Sequence, residues 1–516
     1  MSDIGMLAQE FVRLGVRDVF GIPGEGPSLD LINEMERRGS TFYSVCHEGA
    51  GALMAGGYGR AMGMPGICLS IKGPGFANML AGIASNWLDR NPVLSLSESY
   101  GPGSSPNRMH KRLSQRAIVT PLVKAYADNP APELISELWN VCIAEEPGPV
   151  HIDISTSLNS STYVGSVTEC DLQPLPQDIA DAIRTAARPV VIAGSLAARR
   201  PWRKRLADLR IPIFTTVAGK GALDEAQPWA AGIFTNAGGP LAPERSILSH
   251  ADLIVGLGLR TTEILDVCPL PGRLIMLDEL GNRAQGLGAA EESLVKEEGF
   301  HEALNLLADK EWGEAELETA RTKLFERMQV DRWLPAGVFT LIQTVLPDST
   351  RYVLDTGNFC TMGEHVLAAH HPGQVMGSAY GRSMGVGIPT GLGAALGTRE
   401  TPTVIVVGDG GARMYPEAIT LAVRERLPVL ILLMNDGSYA SVRQAAVKKS
   451  YSQIPLFMHE CSWPEVFHGF GCPSERIESF AALTRAIESW KQSSGPLFLD
   501  LAFDPKAYLS MTEGIR

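Results

Sequence analysis

Short runs of consecutive apolar residues alternate with segments of helical spacing along nearly the whole chain, and the runs end in glycine, proline or an acid. Ile4 to Leu14 has helical apolar spacing, Val19-Phe20-Gly21 opens a strand, and Gly21 to Pro27 forms a tight loop containing Pro23 and Glu25. Ser28 is placed to cap a second helix, and a strand around Phe42 to Cys46 runs into His47-Glu48. A Gly/Ala-rich helix over Gly49 to Met62, a strand from Gly66 to Ile71 and a Gly73-Pro74-Gly75 turn into another helix follow. Strands at Val93 to Leu96 and at 148–154 close a first unit, residues 1–165. This alternation predicts a mostly parallel α/β sheet covered on both faces.

The pattern breaks between about 160 and 185, where a Pro-rich QPLPQD segment reads as a linker. A second unit, 180–325, has strands at Pro189 to Ala193, Ile211 to Thr216, Ala251 to Leu257 and Leu274 to Leu277. The acidic stretch from Glu291 to Met328 reads as helical, with little sheet signal. Gly256-Leu257-Gly258 lacks the third glycine and the following helix of a dinucleotide fingerprint. The third unit, 335–516, has a strand entering Asp355-Thr356-Gly357-Asn358, a glycine-spaced loop from Ser378 to Pro389, a small-residue helix from Thr390 to Leu396, and a last strand at 496–501. The predicted class is α/β, with three doubly wound parallel-sheet domains.

Within the third unit, Thr403 to Val442 concentrates the chemistry. Val404 to Val407 enters Gly408-Asp409-Gly410-Gly411, a helical segment follows, and Val429 to Met434 ends at Asn435-Asp436-Gly437-Ser438-Tyr439. Two buried parallel strands joined by a helix bring Asp409 and Asp436 to the carboxyl edge of one sheet, where doubly wound folds bind ligands. Two hard oxygen ligands beside glycine amides suit a divalent metal holding a diphosphate. The plainer alternative is a strand–turn–helix with surface acids.

Size and charge narrow the partners. A chain of 516 residues is too long for one core and suggests roughly three domains. Its net charge of −12 argues against nucleic acid or anionic membrane as the main partner. The N-terminus has no basic segment followed by an apolar one, and no apolar run is long enough to span a bilayer, so a cytoplasmic protein is expected. Eight scattered cysteines without a CxxC pair fit reduced thiols. Glu48 stands where a strand meets a helix among small residues; burial would raise its pKa and let it hold a proton near neutrality. A helix-start acid interacting with the dipole explains its place equally well.

Together HEGAGALMAGGYGRAMGMPG, KGPGFAN and GDGG through MNDGSY resemble the motifs of thiamine-diphosphate enzymes of the acetohydroxyacid synthase, benzoylformate decarboxylase and benzaldehyde lyase group. The order of motifs and the 27-residue step from Asp409 to Asp436 agree with that family over nearly the whole chain. The resemblance implies pyrimidine-binding, middle and diphosphate-binding domains in that order. It implies that Glu48 hydrogen-bonds N1′ of the aminopyrimidine and promotes the imino tautomer that takes the C2 proton. Met384 would support the bend between the cofactor rings. Asp409, Asp436 and the Ser438 carbonyl would bind Mg²⁺, with the Gly410 and Gly411 amides on the diphosphate. Asn358 and Cys360 fall in the loop touching the same phosphates, and Pro23, Arg382 and Tyr439 join the cofactor-binding set. The glutamate of one subunit completes the site of its neighbour in this family, which implies a homodimer or homotetramer.

There are departures from the family pattern. Asp436 replaces an asparagine, and Arg382 stands where glycine is common, its backbone carbonyl being the expected contact. Lys111 takes the place of a substrate-side glutamine, with Gln115 a nearby counterpart, and Lys72 replaces a small hydroxylated residue. Glu25, Lys72, Phe76, His110, Lys111 and Gln115 are the substrate-side candidates. A basic residue at 72 or 111 would pair with a substrate carboxylate or stay a solvated surface charge. The middle domain lacks a phosphate fingerprint, which speaks against FAD. The expected activity is decarboxylation of a 2-oxo acid with transfer of the acyl carbanion to a second carbonyl. The alternatives are a non-oxidative decarboxylase, an acyloin or acyl-CoA lyase, and a non-catalytic cofactor-binding subunit.

Overall fold

The computed structural model describes residues 3–101, 104, 105, 107, 109–155, 162–165 and 170–516. Three sheets follow one another along the chain. The first contains β1 (Asp18–Ile22), β2 (Thr41–Ser44), β3 (Gly66–Ser70), β4 (Val93–Glu98), β5 (Ala125–Asp128), β6 (Val150–Ile154) and β7 (Thr162–Gly165) in the order β2-β1-β3-β4-β6-β5-β7. All its pairings are parallel except β7 against β5.

The middle sheet has β8 (Pro189–Ala193), β9 (Ile213–Thr215), β10 (Ala230–Ile233), β11 (Leu253–Leu257), β12 (Arg273–Asp278) and β13 (Glu291–Leu294), in the order β10-β9-β8-β11-β12-β13. The third has β14 (Arg351–Leu354), β15 (Val375–Gly377), β16 (Thr403–Gly408), β17 (Val429–Asn435), β18 (Ser474–Ile477) and β19 (Leu497–Ala502), in the order β15-β14-β16-β17-β19-β18. Both are wholly parallel. Numbered within each sheet, the first six strands of the first and all six of the third share the order 2-1-3-4-6-5, while the middle sheet is 3-2-1-4-5-6.

Two sequence expectations are corrected. Glu291–Leu294 is not helical but the edge strand β13, and helices begin only at Glu297–Ala308 and Glu314–Met328. An edge strand is covered on few sides, so a polar EESL segment can pair with β12 without an apolar signature. The linker stretch also holds structure: β7 extends the first sheet, and helix Gln177–Thr185 buries Ile179 and Ile183 in the middle core.

β16 and β17 are central and buried on both faces, which is why they read as continuous aliphatic runs. Each fully buried Leu or Ile there contributes roughly 1.5–3 kcal/mol. Helix Glu48–Met62 is unusually glycine-rich, at an intrinsic cost of about 1 kcal/mol per glycine. The compensation is close packing on helix Gly387–Gly397: a Cβ at Gly57 would strike the Thr390 carbonyl, and one at Gly393 the Met54 carbonyl. The N-terminal and C-terminal units of one chain are thereby locked through two backbones.

Candidate functional site

The carboxyl ends of β14, β16 and β17 carry the residues the sequence singled out in the third unit. Asp409 opens a one-turn helix directly after β16, its Oδ1 accepting from the Gly410 amide at 2.9 Å. Asp436 follows β17, and its Oδ2 accepts from the Ser438 hydroxyl at 2.5 Å. Hydrogen bonds from Tyr439 N to Leu456 O and from Met458 N to Gly437 O hold this second loop in place. Burial, and then the Asp436 charge, pushes Asp409 up to about 7. Burial likewise lifts Asp436 to about 6, against the Ser438 hydroxyl and Arg443. The two buried carboxylates thus lie within electrostatic reach of one another.

Gly410 and Gly411 are required by their surroundings. A Cβ on Gly410 would stand 2.9 Å from Tyr439 Cε1 and 3.1 Å from Met384 Sδ, so Met384, Tyr439 and Gly410 converge. A Cβ on Gly411 would stand 2.5 Å from Asp355 Oδ2. Asp355 directly follows β14, and burial raises it to about 7 although the backbone amides of Thr356, Gly385, Val386 and Gly387 bond to it. It therefore ties the Met384 loop to the sheet edge.

Several polar atoms here are buried without a partner: Asp409 Oδ2, Thr356 Oγ1, Asn358 Nδ2, and Arg382 Nε and Nη2. Orphaned buried polar groups are rare in folded proteins, and each calls for a partner such as an ordered water, an ion or a ligand. Asn358 is not in an open loop; it starts helix Asn358–Val366, which also carries Cys360 and Glu364. Tyr508, fully buried, lies within electrostatic reach of Asp436, Asp409 and Cys360 and so joins them in one neighbourhood. A cavity of about 650 Å³ opens beside Asp409 and Asp436 and is lined only by residues between 409 and 505.

The other candidates sit at the carboxyl edge of the first sheet and are mostly engaged. Glu48 begins its helix with His47 as cap, and Glu48 Oε2 accepts from Asn78 Nδ2 at 3.0 Å. Lys72 is neither free nor solvated: Nζ lies 3.0 Å from Glu98 Oε2, a fully buried carboxylate that also accepts from the Ser28 hydroxyl. Burial would raise Glu98, but Ser28 and Lys72 hold it below the ordinary carboxylate range. Gln115 is buried, with its Oε1 accepting from Gly73 N at 3.2 Å and its Nε2 donating to the Glu98 carbonyl and Asp153. Phe76 is fully buried in the core, its ring centroid 5.3 Å from that of His151. Pro23 is half-buried after β1, while Glu25, His110 and Lys111 are exposed. No hydrogen bond or ion pair among the described residues joins Glu48 to Asp409 or Asp436. Asp355, Thr356, Glu364, Tyr508 and Asn78 escaped the sequence reading as site residues; only Asp355 had a signal, a strand end like that before Asp409.

The middle sheet has the strand order of dinucleotide-binding folds, with its switch point between β8 and β11. That crevice is filled from within. The Glu263 carboxylate accepts from Ser195 N at 2.8 Å, from Thr216 Oγ1 at 2.8 Å and from the Ser195 hydroxyl.

Comparison with known proteins accounts for this arrangement. Family models of thiamine pyrophosphate enzymes match in chain order: the N-terminal TPP binding domain at 5–118, the central domain at 176–280 and the C-terminal TPP binding domain at 355–501. The chain is 28% identical to a probable 2-ketoarginine decarboxylase of Pseudomonas aeruginosa, over 96% of this chain and 93% of that one. It is 24% identical to acetolactate synthase of Bacillus subtilis, over 96% and 91% of the two chains. Identity is 26% to acetolactate synthase isozyme 3 large subunit of Escherichia coli, over 86% and 84%. With its three sheets met in order by the three domains of one family, the chain belongs to the thiamine pyrophosphate-dependent enzymes of the acetolactate synthase and decarboxylase group.

Proposed function

We propose that the chain binds thiamine diphosphate and Mg²⁺ at the carboxyl edge of the third sheet and decarboxylates a 2-oxo acid. The observation that carries this is the set of orphaned buried atoms in the third unit, an acid oxygen on Asp409 and donors on Thr356, Asn358 and Arg382. Asp409 and Asp436, with the Ser438 carbonyl, would hold Mg²⁺; a doubly charged cation offsets the burial that lifts both carboxylates and the Asp436 charge that adds to it at Asp409. Asp436 suits this as well as an asparagine would and adds a charge. The Thr356 hydroxyl, Asn358 Nδ2 and the Gly410 and Gly411 amides would face phosphate oxygens. Met384 and Tyr439, against Gly410, would wall the rings. When bound, the cofactor supplies the electron sink that lets a 2-oxo acid lose CO₂. Glu48 would hold a proton at N1′ of the pyrimidine.

Glu48 lies outside the cavity beside Asp409, and Tyr380, Met414 and Tyr439 are exposed apolar side chains near that edge. A homodimer or homotetramer, with Glu48 of a second copy completing each site, covers them and joins the two halves. We take residues 1–165, 180–325 and 335–516 as the pyrimidine-binding, middle and diphosphate-binding units. The middle unit is proposed to carry no flavin, because Glu263 already takes up the Ser195 amide and the Ser195 and Thr216 hydroxyls at its switch point. No helix among the described residues is long and apolar enough to cross a membrane, all eight thiols are free, and we place the enzyme in the cytoplasm.

Transfer of the acyl unit to a second carbonyl is the second reading, supported by the similarity to acetolactate synthases over most of their length. Incubation with thiamine diphosphate, Mg²⁺ and a panel of 2-oxo acids, with and without aldehydes, tests both. CO₂ with the matching aldehyde is expected for the decarboxylase and a coupled hydroxyketone for the carboligase. No CO₂ from any acid would overturn the proposal and leave a lyase.

A further inference from the structure

Arg382 follows β15 on a loop held by Asp89, whose Oδ1 accepts from Ser378 Oγ at 3.0 Å and from the Tyr380 and Gly381 amides. Its φ is +43°, the left-handed region, which costs a residue bearing a Cβ roughly 1 kcal/mol. This conformation sends the guanidinium to helix Asn358–Val366, where Nη1 donates to Glu364 Oε1 and reaches Cys360 Sγ at 3.3 Å. The other Glu364 oxygen is taken by Arg516 Nη2 at 2.7 Å. Two guanidinium groups therefore share one buried carboxylate, which they hold at about 2 although burial would raise it.

One positive charge is left over. The neighbours do not cancel it: burial and Glu364 keep the Cys360 thiol protonated, and burial lowers His365 to about 3, so it is neutral. Lys220 is matched by Glu225 at 2.5 Å. Asp89 also faces Arg382, but it faces the buried Arg60 as well. Meanwhile Nε and Nη2 of Arg382 are buried and bond to nothing, as do Thr356 Oγ1 and Asn358 Nδ2 on the adjacent strand end. Beside its pairing with Glu364, Arg382 thus keeps two buried N–H groups unbonded, and such donors are costly unless an acceptor completes them.

We propose that the Arg382 side chain is a ligand of the cofactor's diphosphate, closing with Thr356 and Asn358 a donor wall opposite the Asp409–Asp436 metal site. The inference rests on the cofactor reading above and adds to it a side-chain cation where only a backbone carbonyl was expected. Its planar fork presents two parallel N–H groups, a match for two phosphate oxygens. Glu364 and Arg516 are positioning residues that aim the fork.

Calorimetric titration of the full-length protein in Mg²⁺ tests this, using thiamine diphosphate, thiamine and inorganic pyrophosphate on wild type, Arg382→Met and Arg382→Lys. Arg382→Met is expected to weaken thiamine diphosphate and pyrophosphate roughly 10- to 100-fold, as for loss of a charged hydrogen bond. Thiamine, which lacks phosphate, is expected to bind within about twofold of wild type. Arg382→Lys is expected to recover part of the loss, since it keeps the charge without the fork. Unchanged diphosphate affinity in Arg382→Met overturns the proposal; if the KM for the 2-oxo acid rises at the same time, Arg382 serves the substrate carboxylate. Should Arg382→Met fail to fold by circular dichroism, wild-type affinity in Arg382→Lys is the overturning result. Failure of wild type to bind thiamine diphosphate would instead refute the cofactor reading itself.

Discussion

The first and third sheets share a strand order and each gathers polar residues at its carboxyl edge, yet the two edges are satisfied to different degrees. On the first, Lys72 meets Glu98, Gln115 uses both ends of its amide, and Glu48 accepts from Asn78. On the third, Asp409, Thr356, Asn358 and Arg382 keep five buried atoms without partners, against two on the first, Ser99 Oγ and Asn129 Oδ1 at the ends of β4 and β5. One topology thus supplies a nearly finished surface and an unfinished one. The finished edge holds Glu48 through Asn78; the unfinished edge keeps more binding capacity that its own chain does not use. Sites for tightly held cofactors have this second character, because stability is given up where a ligand will later restore it.

Substitutions at the two edges should therefore behave differently. Glu48→Gln is expected to lower turnover by roughly 10²- to 10⁴-fold and to slow deuterium exchange at cofactor C2 equally, with cofactor affinity by calorimetry nearly unchanged. Wild-type exchange in that variant would remove Glu48 from the chemistry. Lys72→Met is expected to cost about 3 kcal/mol in urea unfolding, since it leaves Glu98 charged, buried and without its cation. The pH dependence follows from the lowered Glu98 pKa: the unfolded state binds its proton first, so this stabilisation is complete above the ordinary value of about 4.5. It fades as pH falls through the lower folded value, and Lys72→Met should flatten that part of the stability profile. Asp409→Asn is expected to do the reverse, raising stability without cofactor by about 1 kcal/mol through loss of a like-charge contact. The same variant should lose Mg²⁺-dependent binding of thiamine diphosphate. Destabilisation by Asp409→Asn would mean the third edge is finished after all.

Much of this was legible in the chain, for reasons that differ by residue. β16 and β17 announce themselves because central parallel strands are buried on both faces, and their ends place Asp409 and Asp436 together. β13 and β18, EESL and SERI, are edge strands that need few apolar residues, so spacing alone hides them. The common strand order of the two outer sheets leaves no repeat in the residues. Lys72 and Gln115 looked like substrate ligands because their partners, Glu98 and Asp153, lie far along the chain and meet them only through β4 and β6. Arg382 looked like a departure with a dispensable side chain; the pairing of Glu364 with two arginines is a tertiary fact. Glu263 closing a crevice of dinucleotide-binding topology belongs to the same class.

The central claim is that the finished edge of one chain serves the unfinished edge of another. Co-expression of Glu48→Gln and Asp409→Ala chains measures it directly, because a mixed dimer contains one site with both native residues and one with neither. Random pairing should restore about a quarter of wild-type turnover from two inactive parents. A mixture as inactive as its parents would contradict the claim and confine Glu48 and Asp409 to the same chain.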